Sequence, residues 1–108
     1  MEDLIAFVRA RLDEDERTAR AASAAWDGED DSRARDGLSA ASRDHAHRQS
    51  PEHVLRQVAA LSSLTHVMAP IVRGEHNGRA MLGVAMYALY GIAALWSDHP
   101  DFREEWRP

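Results

Sequence analysis

From Ala80 to Ser97 the chain runs for 18 residues without a charge, as AMLGVAMYALYGIAALWS. No other stretch restricts the fold as much. As a helix rising ~1.5 Å per residue it is about 27 Å long. A helix that is apolar on every side has to be buried on most of them. One face carries Gly83, Tyr87, Gly91 and Ala94; the other carries Leu82, Met86, Leu89, Ala93 and Trp96. The length only just suffices to cross a hydrocarbon core. Alanines and glycines dilute its hydrophobicity, and Tyr87 and Tyr90 sit mid-run, away from the ends where an interfacial aromatic belt would form. The predicted state is therefore a buried helix, over residues 79–97, of a soluble domain. A single-pass membrane protein through residues 80–97 is the alternative, which insolubility without detergent would reveal.

What could cover this helix follows from the rest of the chain. Residues 2–25 read as a helix with Leu4, Ile5, Phe7, Val8 and Leu12 on one apolar stripe. Glu2 and Asp3 stand in its first turn, where the helix dipole favours anions. Asp13–Arg17 and Glu16–Arg20 are acid-before-base pairs at i,i+4. Its second half thins to alanine, which propagates a helix well and buries little. After Trp26 comes DGEDDSRARDG, residues 27–37, a charged stretch bracketed by Gly28 and Gly37 and predicted to be an exposed acidic loop. A short helix is predicted over 38–48.

Ser50-Pro51-Glu52 is a helix start: a preferred N-cap, a proline at the first helical position, and an acid in the first turn. That helix carries Val54, Leu55, Val58, Leu61, Leu64 and Met68, and Pro70 is expected to stop or kink it. Arg73 to Gly78 reads as a turn with two glycines. Nothing alternates with period two for long enough to make a strand. The predicted fold class is all-α: a small helical bundle of three long helices plus one or two short ones, in one domain over residues 1–108. The partners of the central helix are short, alanine-rich or interrupted. A homo-oligomer pairing Gly83, Tyr87, Gly91 and Ala94 would complete its burial.

Composition removes several function classes. There is no cysteine, so thiol catalysis, Cys-ligated zinc and iron–sulfur clusters are excluded. A net charge of −5 excludes a generic nucleic-acid binder. All 13 basic residues are arginine, a bias expected of a very GC-rich genome. The N-terminus lacks the basic start and apolar run of a signal peptide, so a cytoplasmic location is expected.

The candidates for chemistry are sparse. His45 and His47 in DHAH share no helical face, no HExxH and no His pair at i,i+4 occurs, and His66 fits a partly buried hydrogen-bonding residue. Asp13-Glu14-Asp15-Glu16 resembles the carboxylate clusters that hold magnesium in all-α nucleotide hydrolases, but such clusters need a facing acidic pair on a second helix. Glu104-Glu105 is in the tail. There is no Gly-rich phosphate loop and no serine in a nucleophile context. No metal site and no cofactor is expected.

The tail SDHPDFREEWRP places Phe102 and Trp106 one helical turn apart on a short helix that Asp98 could cap. The rings either clasp the fold internally or form a partner-binding patch, for which Trp26, Phe102 and Trp106 are the candidate anchors.

Three segments carry a resemblance: the opening DLIAFVRARLDEDE, the central HRQSPEHVLRQV and the closing SDHPDFREEWRP, together roughly 40 of the 108 residues. They resemble a family of small uncharacterised proteins, a domain of unknown function, from actinobacteria and their phages. The closing motif, DHPD, an aromatic and REEW, is the most specific. The resemblance implies an actinobacterial or phage source and assigns no activity. Relatives often carry cysteines, a metal-ligating residue type, before the last helix; here that segment is PIVRGEHNGRAMLG, without one. The resemblance thus carries no metal site to this chain.

The reading that results is a small soluble protein-interaction or regulatory module rather than an enzyme, with a protein or a second copy of itself as partner. A metal-dependent hydrolase using first-helix carboxylates and a histidine is the rival class. Asp13, Glu16 and a histidine converging on one point would favour it.

Overall fold

A computed structural model describes residues 1–26, 40–42, 49–75 and 78–108. The predicted loop at 27–37, most of the predicted short helix at 38–48, and His45, His47 and His76 lie outside the described residues, as does the Trp26 side chain. Residues 40–42 are helical.

The fold is all-α, as expected, with three long helices and no strand among the described residues. Helix α1 spans Glu2–Trp26, α2 spans Pro51–Val72, and α3 spans Arg79–Ala93. Two single 3-10 turns follow, at Ala94–Trp96 and Glu104–Trp106. The chain divides into two compact units: residues 1–13 with 60–108, and residues 14–59. Both α1 and α2 contribute a half to each.

Among the described residues, the first unit holds most of the buried side chains. Leu4, Ile5, Phe7, Val8 and Leu12, the stripe read from the sequence, are all buried. Ala69, Ile71 and Val72 from α2, Ala85, Leu89, Ile92 and Ala93 from α3, and Trp106 from the tail are buried too. Thr65, the one buried polar side chain here among the described residues, donates its hydroxyl to the Leu61 carbonyl at 2.8 Å, so it buries no unmet donor. Arg73 ties the end of α2 to the start of α1 with two parallel hydrogen bonds to Glu2, at 2.5 and 3.1 Å.

The second unit contains the alanine-rich half of α1 and the start of α2. Among the described residues, Ala19, Ser50, Pro51 and Val58 are its buried ones. Ser50 caps α2 as the sequence predicts: its hydroxyl accepts the His53 N–H at 3.3 Å, and its carbonyl accepts the Val54 N–H at 3.0 Å. The small alanines leave a hollow of about 370 Å³ beside Ala19, Ala22 and Val54.

Two expectations about helix ends need correcting. Pro70 does not stop α2, which continues to Val72. Proline forfeits only its own N–H bond, and that close to the end the helix has little left to lose. The stop comes from Gly74 at φ 78°. The Gly74 N–H bonds the Ile71 carbonyl at 3.0 Å and the Glu75 N–H bonds the Pro70 carbonyl at 3.0 Å, the paired bonds of a Schellman cap. The tail, predicted as a helix from Asp98, is instead a run of tight turns. His99 N–H bonds the Trp96 carbonyl at 2.9 Å, Phe102 N–H the His99 carbonyl at 3.0 Å, and Trp106 N–H the Arg103 carbonyl at 2.9 Å.

The expectation for α3 is also corrected. Its core-facing stripe is buried, yet only 22% of the Arg79–Trp96 window is buried. The helix is covered on one side, because the described residues supply no second layer for the other.

Candidate interaction surface

Among the described residues, the uncovered side of α3 carries several exposed large apolar side chains. Val84 is 59% exposed, Tyr87 72% and Leu95 63%, with Met81 at 41%. At 100° per residue Tyr87 falls opposite the buried stripe of Ala85, Leu89 and Ile92, near the middle of the outward face, with Val84 on its flank, while Met81 borders the buried stripe. Gly83 and Gly91 are exposed one turn to either side of it. A Cβ built at either glycine meets nothing within 4 Å. Among the described residues nothing therefore requires a glycine at either position. They are helix-weakening residues, each less favourable than alanine by about 0.8–1 kcal/mol, on an open surface. Ala94 is half-buried at the edge of this face. The four positions read from the sequence as an oligomer interface thus include three on the exposed side and one at its border.

The tail rings have a different environment. Trp106 is buried, and its ring lies 5.1 Å from that of Phe7 and 5.9 Å from that of Phe102. Phe102 lies 6.0 Å from Phe7 in an edge-to-face arrangement and is half-buried. His99 joins the cluster, 5.8 Å from Phe7. Three arginines sit over the rings: Arg11 over Phe7, Arg103 over Trp106 and Arg107 over Phe102, at 5.6, 5.3 and 5.6 Å. Arg11 Nη1 also contacts His99 Nε2, and the Asp101 N–H meets His99 Nδ1 at 3.0 Å. Arg103 reaches Asp3 at 3.1 Å. Phe7, which no reading of the tail alone could supply, is the hub of this cluster.

The remaining candidates do not assemble into a catalytic constellation among the described residues. Asp13 and His66 line a hollow of about 250 Å³ with Arg9, Ser62 and Thr65. His66 is exposed, not partly buried as its place in the sequence pattern suggested. Glu16 does not line that hollow; it accepts two hydrogen bonds from Arg20, at 3.1 and 2.8 Å. No group of three or more carboxylate or histidine side chains is placed to hold a metal ion among the described residues.

Electrostatics single out two surface carboxylates. Hydrogen bonds from Arg73 hold the Glu2 carboxyl below the ordinary glutamate value, and those from Arg107 do the same for Glu104. Both are structural ties at the ends of elements, far in character from an acid–base centre.

No curated protein and no solved structure matches the chain. A family described as one of unknown function does match, over residues 1–108, and with that coverage the chain belongs to it: the family of unknown function DUF6221.

Proposed function

We propose that this chain is a protein-interaction or regulatory module of an actinobacterial cell or its phage, working in the cytoplasm through the outward face of α3. The observation that carries the reading is the exposure of Val84 and Tyr87 on α3 and of Leu95 in the turn that follows, in a run with no charge between Arg79 and Asp98. Large contiguous apolar surface on a soluble domain marks a contact site. Tyrosine flanked by glycines is suited to one, since the ring offers area at low entropic cost and the glycines let a partner backbone approach closely. Lysine-free, alanine-rich composition and the DHPD–REEW tail support the source. Phe102 and Trp106 serve the fold through Phe7 in this reading, and Arg103 and Arg107, over the rings, are exposed.

The membrane reading keeps one point in its favour: the segment Arg79–Trp96 has a mean hydropathy of 1.3 and the length to span. Against it stands the division of the helix into a buried stripe and an exposed face, in one compact unit with charged residues such as Glu2, Asp3 and Arg9.

The test is a photo-reactive benzoylphenylalanine placed at Tyr87 in living cells, with Arg56 on the exposed side of α2 as the control site. Protein adducts formed from position 87 and not from 56 are expected. Lipid adducts, or none, would end the interaction reading.

A further inference from the structure

Resting on that reading of the α3 face, we propose that its occupant is a second copy of this chain, packed antiparallel about a two-fold axis so that Tyr87 of each copy seats over Gly91 of the other.

Shape is the first argument. Gly91 lies one turn from Tyr87, and its Cβ position is open. If the axis crosses α3 at the level of Leu89, Tyr87 faces Gly91 of the second copy. Tyr87 and Gly91 lie only about 40° apart around the helix, so they share one line of the face, and symmetry makes their meeting twice. Knob and notch lie on the same surface, which is what an isologous interface demands.

Charge is the second, independent argument. The uncharged run is bounded by Arg79 at its start and Asp98 at its end, and both are exposed. Antiparallel pairing sets Arg79 beside Asp98 of the second copy at each end. Parallel pairing would set arginine on arginine and aspartate on aspartate. The helix dipoles favour the same choice. A partner of another sequence would have to supply this arrangement of apolar centre and opposite charges; a second copy already has it.

The absence of cysteine makes the test direct, because introduced cysteines are the only thiols. Ala80→Cys and Ser97→Cys are prepared on separate chains, each also measured alone, and treated with a short bis-maleimide. In the proposed register position 80 lies near position 97 of the other copy, whereas the two copies of position 80 are about 27 Å apart along the helix. Linked dimer is expected from the mixture and not from either variant alone. Light scattering coupled to size-exclusion chromatography, without detergent and over a dilution series, is expected to give twice the mass of one chain. Gly91→Leu fills the notch with a good helix former at a position whose Cβ meets nothing within 4 Å, so it is expected to keep the helical circular dichroism and lose the dimer.

A monomer at every concentration would overturn the second copy as occupant. It would leave the contact face itself standing if position 87 still captures a different protein in cells. A dimer linked through like positions, or one indifferent to Gly91→Leu, would overturn the register.

Discussion

The rings of Phe7 and Trp106 lie 5.1 Å apart at an interplanar angle of 48°, joining the second turn of α1 to a residue near the end of the chain. Both are buried, at 6% and 7% exposure. Truncating either to alanine removes a large ring and leaves a cavity, a change that costs about 3–5 kcal/mol. Trp106→Ala is expected to lower the urea midpoint accordingly. Phe7→Ala should do the same, and the double variant should fall short of the sum by about 0.5–1.5 kcal/mol, the coupling of an aromatic pair. A loss under about 1 kcal/mol for Trp106→Ala would mean that the tail does not hold the fold.

The tie between Glu2 and Arg73 makes stability depend on acid. The hydrogen bonds from Arg73 are the main cause of the lowered Glu2 carboxyl, with the charge of Arg73 adding to them. The unfolded chain has the ordinary value, about 4.5, and so binds the proton more readily than the folded one. The contribution is complete above that value and is lost as pH falls through the lower folded value. Glu104 follows the same sign through Arg107. Glu2→Gln is expected to flatten the acid limb of a stability-against-pH curve and to change little near neutrality beyond a constant offset. A parallel curve, displaced but equally steep, would show that other carboxylates set the acid limb.

Ser50 is buried and holds the first turn of α2 through the His53 N–H. Ser50→Ala removes that acceptor and is expected to cost about 1 kcal/mol. Ser50→Asp should recover most of it, since aspartate caps equally well and suits the positive end of the dipole. Chemical denaturation of the three proteins decides it. Equal midpoints would mean that Pro51 alone sets the start of the helix.

Local signals proved readable where the physics is local. The Leu4–Leu12 stripe, the Ser50 cap and the lack of strands all depend on neighbours within a turn or two. Pro70 misled because its cost depends on how many helical bonds remain beyond it, and here the Gly74 cap comes first. The tail misled in form: Phe102 and Trp106 do gather, but on Phe7, 95 and 99 positions away in the chain, and tight turns bring them there without a helix. Hydrophobicity announced that α3 requires cover; it could not say how much protein stands ready to supply it. Gly83, Tyr87 and Gly91 were legible as a candidate interface for the same reason that the shortfall was not: periodicity places residues on a face, and only the packed structure shows that the face is open.

Gly74 and Gly91 separate the two uses of glycine in this chain. Gly74 has φ 78°, a conformation that costs an L-residue about 1–2 kcal/mol. Gly74→Ala is therefore expected to destabilise the fold by about that amount, although open space surrounds its Cβ. Gly91 sits inside α3 with equally open space and no such backbone demand. In dilute, monomeric protein Gly91→Ala is expected to stabilise by about 0.5–1 kcal/mol, the gain of replacing a mid-helix glycine. Opposite signs in thermal denaturation are the expected result. A Gly91→Ala protein no more stable than the parent would deny that the position is free within its own chain, and with it the inference that the notch is kept for something outside.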